Sequence, residues 1–493
     1  MSEVELKFDL AAEAHAAFRK LAPLSGVKPR TANLHALYFD TPELALRERQ
    51  MALRLRRTGR HWMQTLKAGA SGAGGLHARD EWEFERPDPT LDLSAFAGTP
   101  LAAEPDLGER LAEVFRVDVR RTTWELEVTP GNRVEVALDR GEVARLGERE
   151  AVAEVEIESL SGDPMAVFEL AEQLVGAAPL RPSAVTKAQR GYRLASGVTE
   201  GPAKARAVAL DPDRDAAWAA RQVIAAALEQ LQANEAGVVA SADPEYLHQM
   251  RVALRRMRSA LRVFGGAIDA EFAGHLRTEL RWLARVTGPA RDWDVLATQT
   301  LPAILHAWSE SAAARSVRAR VAVRRKAARE PLREALLSPR YVRLVLALAR
   351  WLAQPAAESG TPGKLGDLAA RTVAKRHKRL VAGALRLSAL TPAERHQLRL
   401  EAKRLRYALE GFESLFRSRR FDDYRDLLAE IQDDLGRAND AAVATRLMAE
   451  LKAPAAFTQF ARGWLAAQTH SSVALLERHA DRLATAKLPR EKN

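Results

Sequence analysis

Near the start of the chain, charged and apolar side chains take turns. Glu3, Glu5 and Lys7 fall on one side of an extended segment, and Val4, Leu6 and Phe8 on the other. The same alternation returns over residues 34–40, 51–57, 61–67, 80–85, 121–128, 133–139 and 152–158, between clusters of Gly, Pro and Asp. This pattern predicts eight antiparallel strands, with helices over residues 11–21 and 164–175. Beyond residue 212 the period becomes helical. Ala, Leu and Arg dominate up to residue 488, with breaks expected at Asp243-Pro244, Gly288-Pro289, 355–366, Thr391-Pro392 and Pro454. The expected fold is multidomain α+β: a β domain over residues 1–196, a linker over 197–212 and an all-α helical bundle over 213–488.

The strand faces are unusual. One face is almost wholly ionisable in Glu3/Glu5/Lys7, Arg54/Arg56, Glu81/Glu83/Glu85 and Glu154/Glu156/Glu158. For any one strand, a solvated outer face is the simpler account. Several strands carrying both signs favour a closed eight-stranded barrel, with its apolar faces packed outward and its charges lining a tunnel. Such a lumen needs its charges paired, hydrated or neutralised by ligands. The run from Gly69 to Gly75 lacks the Gly-Lys-Ser/Thr ending of a phosphate-binding loop and reads as a flexible hairpin.

The helical half contains an internal repeat. Residues 243–264 align without gaps on 391–412 at a constant offset of 148, and Gly288, Ala290, Asp292 and Val295 fall on Gly436, Ala438, Asp440 and Val443. Two similar subdomains about a pseudo-two-fold axis are expected. In the first copy His248, Arg251, Arg255, Arg258 and Arg262 form one helical stripe; in the second, His396, Arg399, Lys403 and Arg406 do. Helical spacing also groups Arg371, Lys375, Lys378 and Arg379, and further bases fill residues 318–326. One such stripe is as well explained by a solvated surface as by binding. Two matched stripes favour a polyanion held by charge-assisted bonds. The two histidines read equally well as pH-dependent charges or as structural residues.

Charge sharpens the division. Residues 1–200 carry 26 Lys and Arg against 32 Asp and Glu, a net of −6; the remainder carries 49 against 32, a net of +17. The basic half is therefore expected to meet a polyanion, with nucleic acid, acidic membrane and inorganic polyphosphate as candidates. The absence of cysteine excludes disulfides, thiolate metal sites and cysteine nucleophiles. No stretch reads as a membrane span or secretory leader, so a cytoplasmic protein is expected.

These motifs resemble two families. Glu3-Val4-Glu5-Leu6-Lys7, Tyr38-Phe39-Asp40-Thr41, Arg54 and Arg56, Thr65-Leu66-Lys67, Arg79 with Glu81 and Glu83, Glu154-Val155-Glu156-Ile157-Glu158, and Lys187 resemble the CYTH superfamily of triphosphate tunnel metalloenzymes. His248, Arg251, Arg255 and Arg256, and residues 403–407, with Arg291-Asp292 and Asn439-Asp440, resemble the CHAD domain, a histidine-bearing helical module. The resemblance implies a tunnel hydrolysing a triphosphate with Mg²⁺ or Mn²⁺, joined to a polyphosphate-binding domain. It implies Lys7, Arg54, Arg56, Lys67, Arg79 and Lys187 as phosphate-binding catalytic residues, with Arg121 a weaker candidate, and Glu3, Glu5, Glu154 and Glu156 as metal ligands. Glu81, Glu83, Asp139 and Glu158 are expected in support.

His248, Arg251, Arg255, Arg258, Arg262, Lys375, Lys378, Arg379, His396, Arg399, Lys403 and Arg406 are the expected polyphosphate ligands. The expected substrate is inorganic tripolyphosphate, cleaved to pyrophosphate and phosphate. Long-chain polyphosphate is the expected partner and polyphosphate granules an expected location. The alternatives are a nucleoside or thiamine triphosphatase, an adenylyl cyclase of the same tunnel class, or a non-catalytic polyphosphate scaffold. No recognised DNA-reading motif is present, and the sequence leaves oligomeric state open.

Overall fold

The computed structural model describes residues 4–69, 74–77, 80–103, 105–198, 201–308, 311–354, 363–386, 389–416 and 418–489. Its strands are β1 (Glu5–Asp9), β2 (Arg30–Asp40), β3 (Met51–Thr58), β4 (His61–Ala68), β5 (Leu76–His77), β6 (Asp80–Arg86), β7 (Ala112–Thr129), β8 (Asn132–Arg145), β9 (Glu148–Ser161) and β10 (Arg181–Pro182). Helices of ten residues or more are α1 (Ala166–Val175), α2 (Lys187–Ser196), α3 (Ala216–Ala240), α4 (Pro244–Val263), α5 (Ala270–Val295), α6 (Ser311–Leu336), α7 (Pro339–Ala353), α8 (Leu365–Ala384), α9 (Pro392–Gly411), α10 (Arg419–Glu450) and α11 (Ala455–Thr485). Two compact units result: Met1–Ala203 with Leu336–Pro355, and Lys204–Ala335 with Ala356–Asn493.

In the first unit every pairing is antiparallel, in the order β10-β1-β9-β8-β7-β2-β3-β4-β6, with β5 also paired to β1. Eight of the ten strands are the expected ones; β5 and β10 are two-residue additions to the free edge of β1. β7, β8 and β9 extend well beyond the alternating segments, to 18, 14 and 14 residues. Leu146 (φ 46°) and Gly147 (φ 93°) make the tight left-handed turn that joins β8 to β9. At the β1–β5 seam the Lys7 N–H donates to the Gly75 carbonyl at 2.9 Å. A Cβ on Gly75 would lie 2.9 Å from the Lys7 carbonyl at a φ of +78°, so this position admits only glycine. The expected loop from Gly69 thus ends in a closing contact, and its residues 70–73 lie outside the described ones.

Alternation sends the apolar set outward. Leu6, Phe8, Val134, Val136, Val155 and Ile157 are buried against α1 and against Val342, Leu346 and Ala349 of α7. Arg350 of α7 reaches Glu169 and Glu172 of α1, each at 3.9 Å. Helix α7 thus belongs to the core of the β unit, although it lies within the stretch whose periodicity predicts the bundle. The short early helical segment is a 3₁₀ turn at Ala12–Ala14 followed by His15–Phe18.

The second unit carries the repeat. Helices α4 and α9 have the same length and the same 148-residue offset as the sequence match. Each begins with a side-chain cap and a proline in its first turn: Asp243 caps α4, and Thr391 with Glu394 forms a capping box on α9. Phe264 and Phe412, equivalent in the repeat, meet edge to face with ring centroids 5.6 Å apart, which marks the pseudo-two-fold axis.

The expected break at Gly288-Pro289 does not occur. Helix α5 continues through Pro289. Arg251 donates to the Ala284 carbonyl at 3.3 Å and to Thr287 Oγ1 at 2.9 Å, bracing the turn beside the residue that lacks an N–H. Among the described residues no helix is long and apolar enough to cross a membrane.

Candidate functional site

Register decides which charges meet. Across β7, β8, β9 and β1, Arg121, Asp139, Glu154 and Asp9 form one row of cross-strand partners, and Lys7 opposes Glu156 in the next. Across β3, β4 and β6, Arg54 lines up with Thr65 and Glu83, and Ala52 with Lys67 and Glu81. Residues of these rows line a cavity of about 650 Å³, a volume typical of ligand sites. Its lining includes Glu5, Lys7, Arg54, Arg56, Lys67, Glu81, Glu83, Arg121, Glu135, Glu156, Glu158 and Lys187.

Helix α2 supplies Lys187. Its start is fixed by a capping box between Thr186 and Gln189. Arg190 then pins the helix, donating to Asp9 at 2.8 Å and to Glu150 at 2.9 Å. Gly191 lies against Phe115, whose ring stacks on Tyr38 at 4.6 Å.

Two charge clusters share the cavity. In the first, Lys7 lies 2.7 Å from Glu156, 3.3 Å from Glu154 and 3.7 Å from Glu5. Lys187 lies 2.7 Å from Asp139, 2.9 Å from Glu156 and in contact with Glu154. Arg121 donates twice to Asp139, at 2.8 and 2.7 Å, and also contacts Glu156. Burial works to raise Glu156, but Lys187, Lys7 and Arg121 outweigh it and hold this carboxylate well below its ordinary value. Glu5 is pushed up, first by burial and then by Glu156.

The second cluster is richer in cations. Lys67 lies 2.9 Å from Glu81; Arg54 lies 3.4 Å from Glu81 and Arg56 3.4 Å from Glu83. Arg56 falls to about 10 because of Arg54 and then burial.

The carboxylate side suits a divalent cation. Asp139, Glu154 and Glu156 each offer an oxygen within 4.8 Å of the others. Among the described residues, buried Glu5 Oε1 and Glu154 Oε2 accept no hydrogen bond. An all-oxygen donor set of this kind fits hard cations such as Mg²⁺ or Mn²⁺. Of the sequence-predicted tunnel residues, Glu3 and Arg79 lie outside the described residues, and the structure gathers the rest. Sequence reading gave Asp139 only a supporting place and passed over Thr186 and Glu135. The capping-box pattern Thr186-x-x-Gln189 was the available signal for the first of these two.

In the helical unit the two stripes converge. Arg255 lies over the Tyr407 ring at 4.6 Å, joining α4 to α9. Lys403 is pushed down to about 8 by burial, then by Arg399 and by Arg255 and Arg251, with Asp440 opposing. His248 is half-buried and lowered by burial and Arg291; the His396 side chain lies outside the described ones. Arg406 turns aside to Glu410 at 2.8 Å and Gln432 at 3.3 Å. Lys375, Lys378 and Arg379 are on the exposed side of α8. Arg376, which the sequence pattern did not single out, is half-buried, and Arg404 and Arg379 contribute to lowering it.

Family comparisons divide the chain the same way. The family model described as CYTH domain matches residues 1–192, and that described as CHAD domain matches residues 222–449. The chain is 27% identical over 197 residues to the inorganic triphosphatase of Haemophilus influenzae. That match covers 40% of this chain and 56% of the relative, so the chain spans little more than half the relative's length. The crystal structure of the CHAD domain from the plant Ricinus communis is 37% identical, with a TM-score of 0.53, covering 60% of this chain and 100% of that one. A Hippeastrum protein, described as an adenylyl cyclase with dominant triphosphatase activity, is 22% identical with a TM-score of 0.31. It covers 40% of this chain and 97% of that one.

Proposed function

Because the chain belongs to the CYTH family through residues 1–192 and to the CHAD family through residues 222–449, we propose that its β unit is a divalent-metal-dependent hydrolase of inorganic tripolyphosphate and that its helical unit binds long-chain polyphosphate. The observation that carries the first part is a single cavity with a carboxylate-rich side, where Glu5, Asp139, Glu154 and Glu156 gather on β1, β8 and β9, and a cation-rich side, where Arg54, Arg56 and Lys67 come from β3 and β4. A wholly basic pocket would hold a phosphate chain, but it would leave the buried carboxylates without a task.

Arg54, Arg56 and Lys67 bind and orient phosphate oxygens, and their fixed positions stabilise charge as the terminal phosphoryl group transfers to water. Asp139, Glu154 and Glu156, with Glu5 beside them, would hold the divalent cation. Bound there, it would offset substrate charge and increase the acidity of a coordinated water. Lys7, Lys187 and Arg121 gather these carboxylates, and together they hold Glu156 ionised despite its burial. The products are pyrophosphate and phosphate. The proposed site of action is cytoplasmic, at polyphosphate granules.

The test is phosphate release by the full chain from tripolyphosphate, pyrophosphate, long-chain polyphosphate and ATP, with Mg²⁺, Mn²⁺ or chelator. Tripolyphosphate should be preferred, and chelator should stop release. Turnover unaffected by chelator would overturn the metal assignment. A second reading, an organic triphosphate, draws on the apolar wall of Leu34, Ala36, Val117 and Val119, and preference for ATP would select it.

A further inference from the structure

The pseudo-two-fold axis of the helical unit relates contacts in pairs, and one pair is not alike. The 148-residue offset makes Arg262 of α4 the counterpart of Glu410 of α9, and Arg256 the counterpart of Arg404. With Phe264 against Phe412 at the axis, the C-terminal parts of α4 and α9 meet. On one side Glu410 and Arg256 line the same small depression beside both phenylalanines. Glu410 also takes Arg406 at 2.8 Å, and nearby Arg206 is taken by Glu229 at 3.2 Å. Arg256, the cation nearest Glu410 in that depression, has acceptors of its own, donating to Gln230 Oε1 at 3.4 Å and to the Arg206 carbonyl at 3.2 Å.

On the other side the relation is cation against cation. Arg262 is lowered by burial and then by Arg258, Arg404 and Arg376. Glu401 is the carboxylate of this group, and it contacts Arg404. Among the described residues Arg258, Arg262 and Arg376 have no carboxylate within ion-pair distance. The Arg376 Nε is buried without a hydrogen-bond partner. Gathering four guanidinium groups around one carboxylate is unfavourable unless an anion is to be received.

We infer that an inorganic polyphosphate chain lying along α4 and α9 leaves the axis on one side only, over Arg258, Arg262, Arg404 and Arg376, because Glu410 closes the equivalent exit on the other. The inference rests on the polyphosphate reading of this unit and adds a direction to it. A groove that obeyed its own symmetry would let the chain run out both ways. Glu410 breaks that symmetry with one charge, so the bound chain has a blocked end and an open end. Arg376 becomes a ligand through this path, whereas Lys375 and Lys378 on the exposed side of α8 do not.

The experiment measures binding of the full chain to long and short polyphosphates of defined length across a salt series. Arg262→Gln and Arg376→Gln should each weaken long-chain binding and lower the slope of log affinity against log salt by about one. Arg206→Gln should leave the slope unchanged. Glu410→Gln should strengthen long-chain binding more than short-chain binding. The path is overturned if Arg206→Gln costs as much as Arg262→Gln, or if Glu410→Gln leaves long-chain affinity as it was. If the Arg376 variant misfolds, exposed Arg262 carries the comparison alone. Failure of the unaltered protein to bind any polyphosphate would remove the site together with the path, whereas equal losses on both sides would remove the path only.

Discussion

A Cβ added to Gly191 would lie 2.1 Å from two ring carbons of Phe115, closer than any side chain can approach. Phe115 is 2% exposed and held between Tyr38 and Tyr192, so it cannot yield. The missing side chain is what allows helix α2 to bring Lys187 to the carboxylates.

Gly191→Ala should therefore cost about 1–3 kcal/mol of stability through overpacking. It should also lower turnover by displacing Lys187. Thermal unfolding and phosphate release on one preparation check both, and an unchanged melting temperature would contradict the packing argument.

Glu156 is the carboxylate that Lys7, Lys187 and Arg121 all reach. Glu156→Gln should reduce tripolyphosphate turnover by about 100-fold or more, as expected when a group that organises transition-state charge is lost. Metal affinity, followed by calorimetry, should fall as well. Arg56→Gln should instead raise KM more than it lowers kcat if its proposed role is phosphate binding, because it pairs with Glu83 and lies apart from the carboxylate cluster.

Lys403 gives a pH dependence with opposite signs in two measurements. Its value in the free protein, about 8, lies below the ordinary 10.5. Between those limits the unfolded chain binds more protons, so the stability of the free protein should rise with pH across that window. Polyphosphate favours the charged form, so its affinity should fall as pH rises above about 8. The groups facing Lys403 are Arg399 on α9, Arg251 and Arg255 on α4, and Asp440 on α10. Lys403→Arg, which stays charged, should flatten the affinity profile.

Helix α7 makes a prediction about the β unit. Leu346 is 1% exposed in its core, so Leu346→Ala should cost about 2–5 kcal/mol. Tripolyphosphate hydrolysis should lose thermal tolerance in step. A chain ending at residue 203 lacks α7 and should bind hydrophobic dyes that the full chain does not.

The sequence made the strands legible because period two survives without tertiary knowledge, as at Glu5, Lys7, Leu6 and Phe8. Register did not show, because nothing local says that Asp139 stands opposite Glu154 or that Lys67 stands opposite Glu81. That is why Asp139, expected only in support, joins Glu154 and Glu156 in the carboxylate cluster. Pro289 misled for a related reason: Arg251, distant in sequence, supports the turn that a proline would weaken. The allegiance of α7 was hidden because an amphipathic helix reads the same whichever core it covers. The repeat was fully legible, because residues 243–264 and 391–412 match without gaps and fold as the equal-length helices α4 and α9.

The contribution of α7 to the first unit also sets a timetable. During synthesis the β strands and α1 emerge first, yet α1 and β10 wait for residues 342–349, which pack on them. More than a hundred residues of the helical unit, Lys204–Ala335, must leave the ribosome in between. The barrel is begun first but finished late, and over that interval its uncovered apolar wall is the surface on which a chaperone would act.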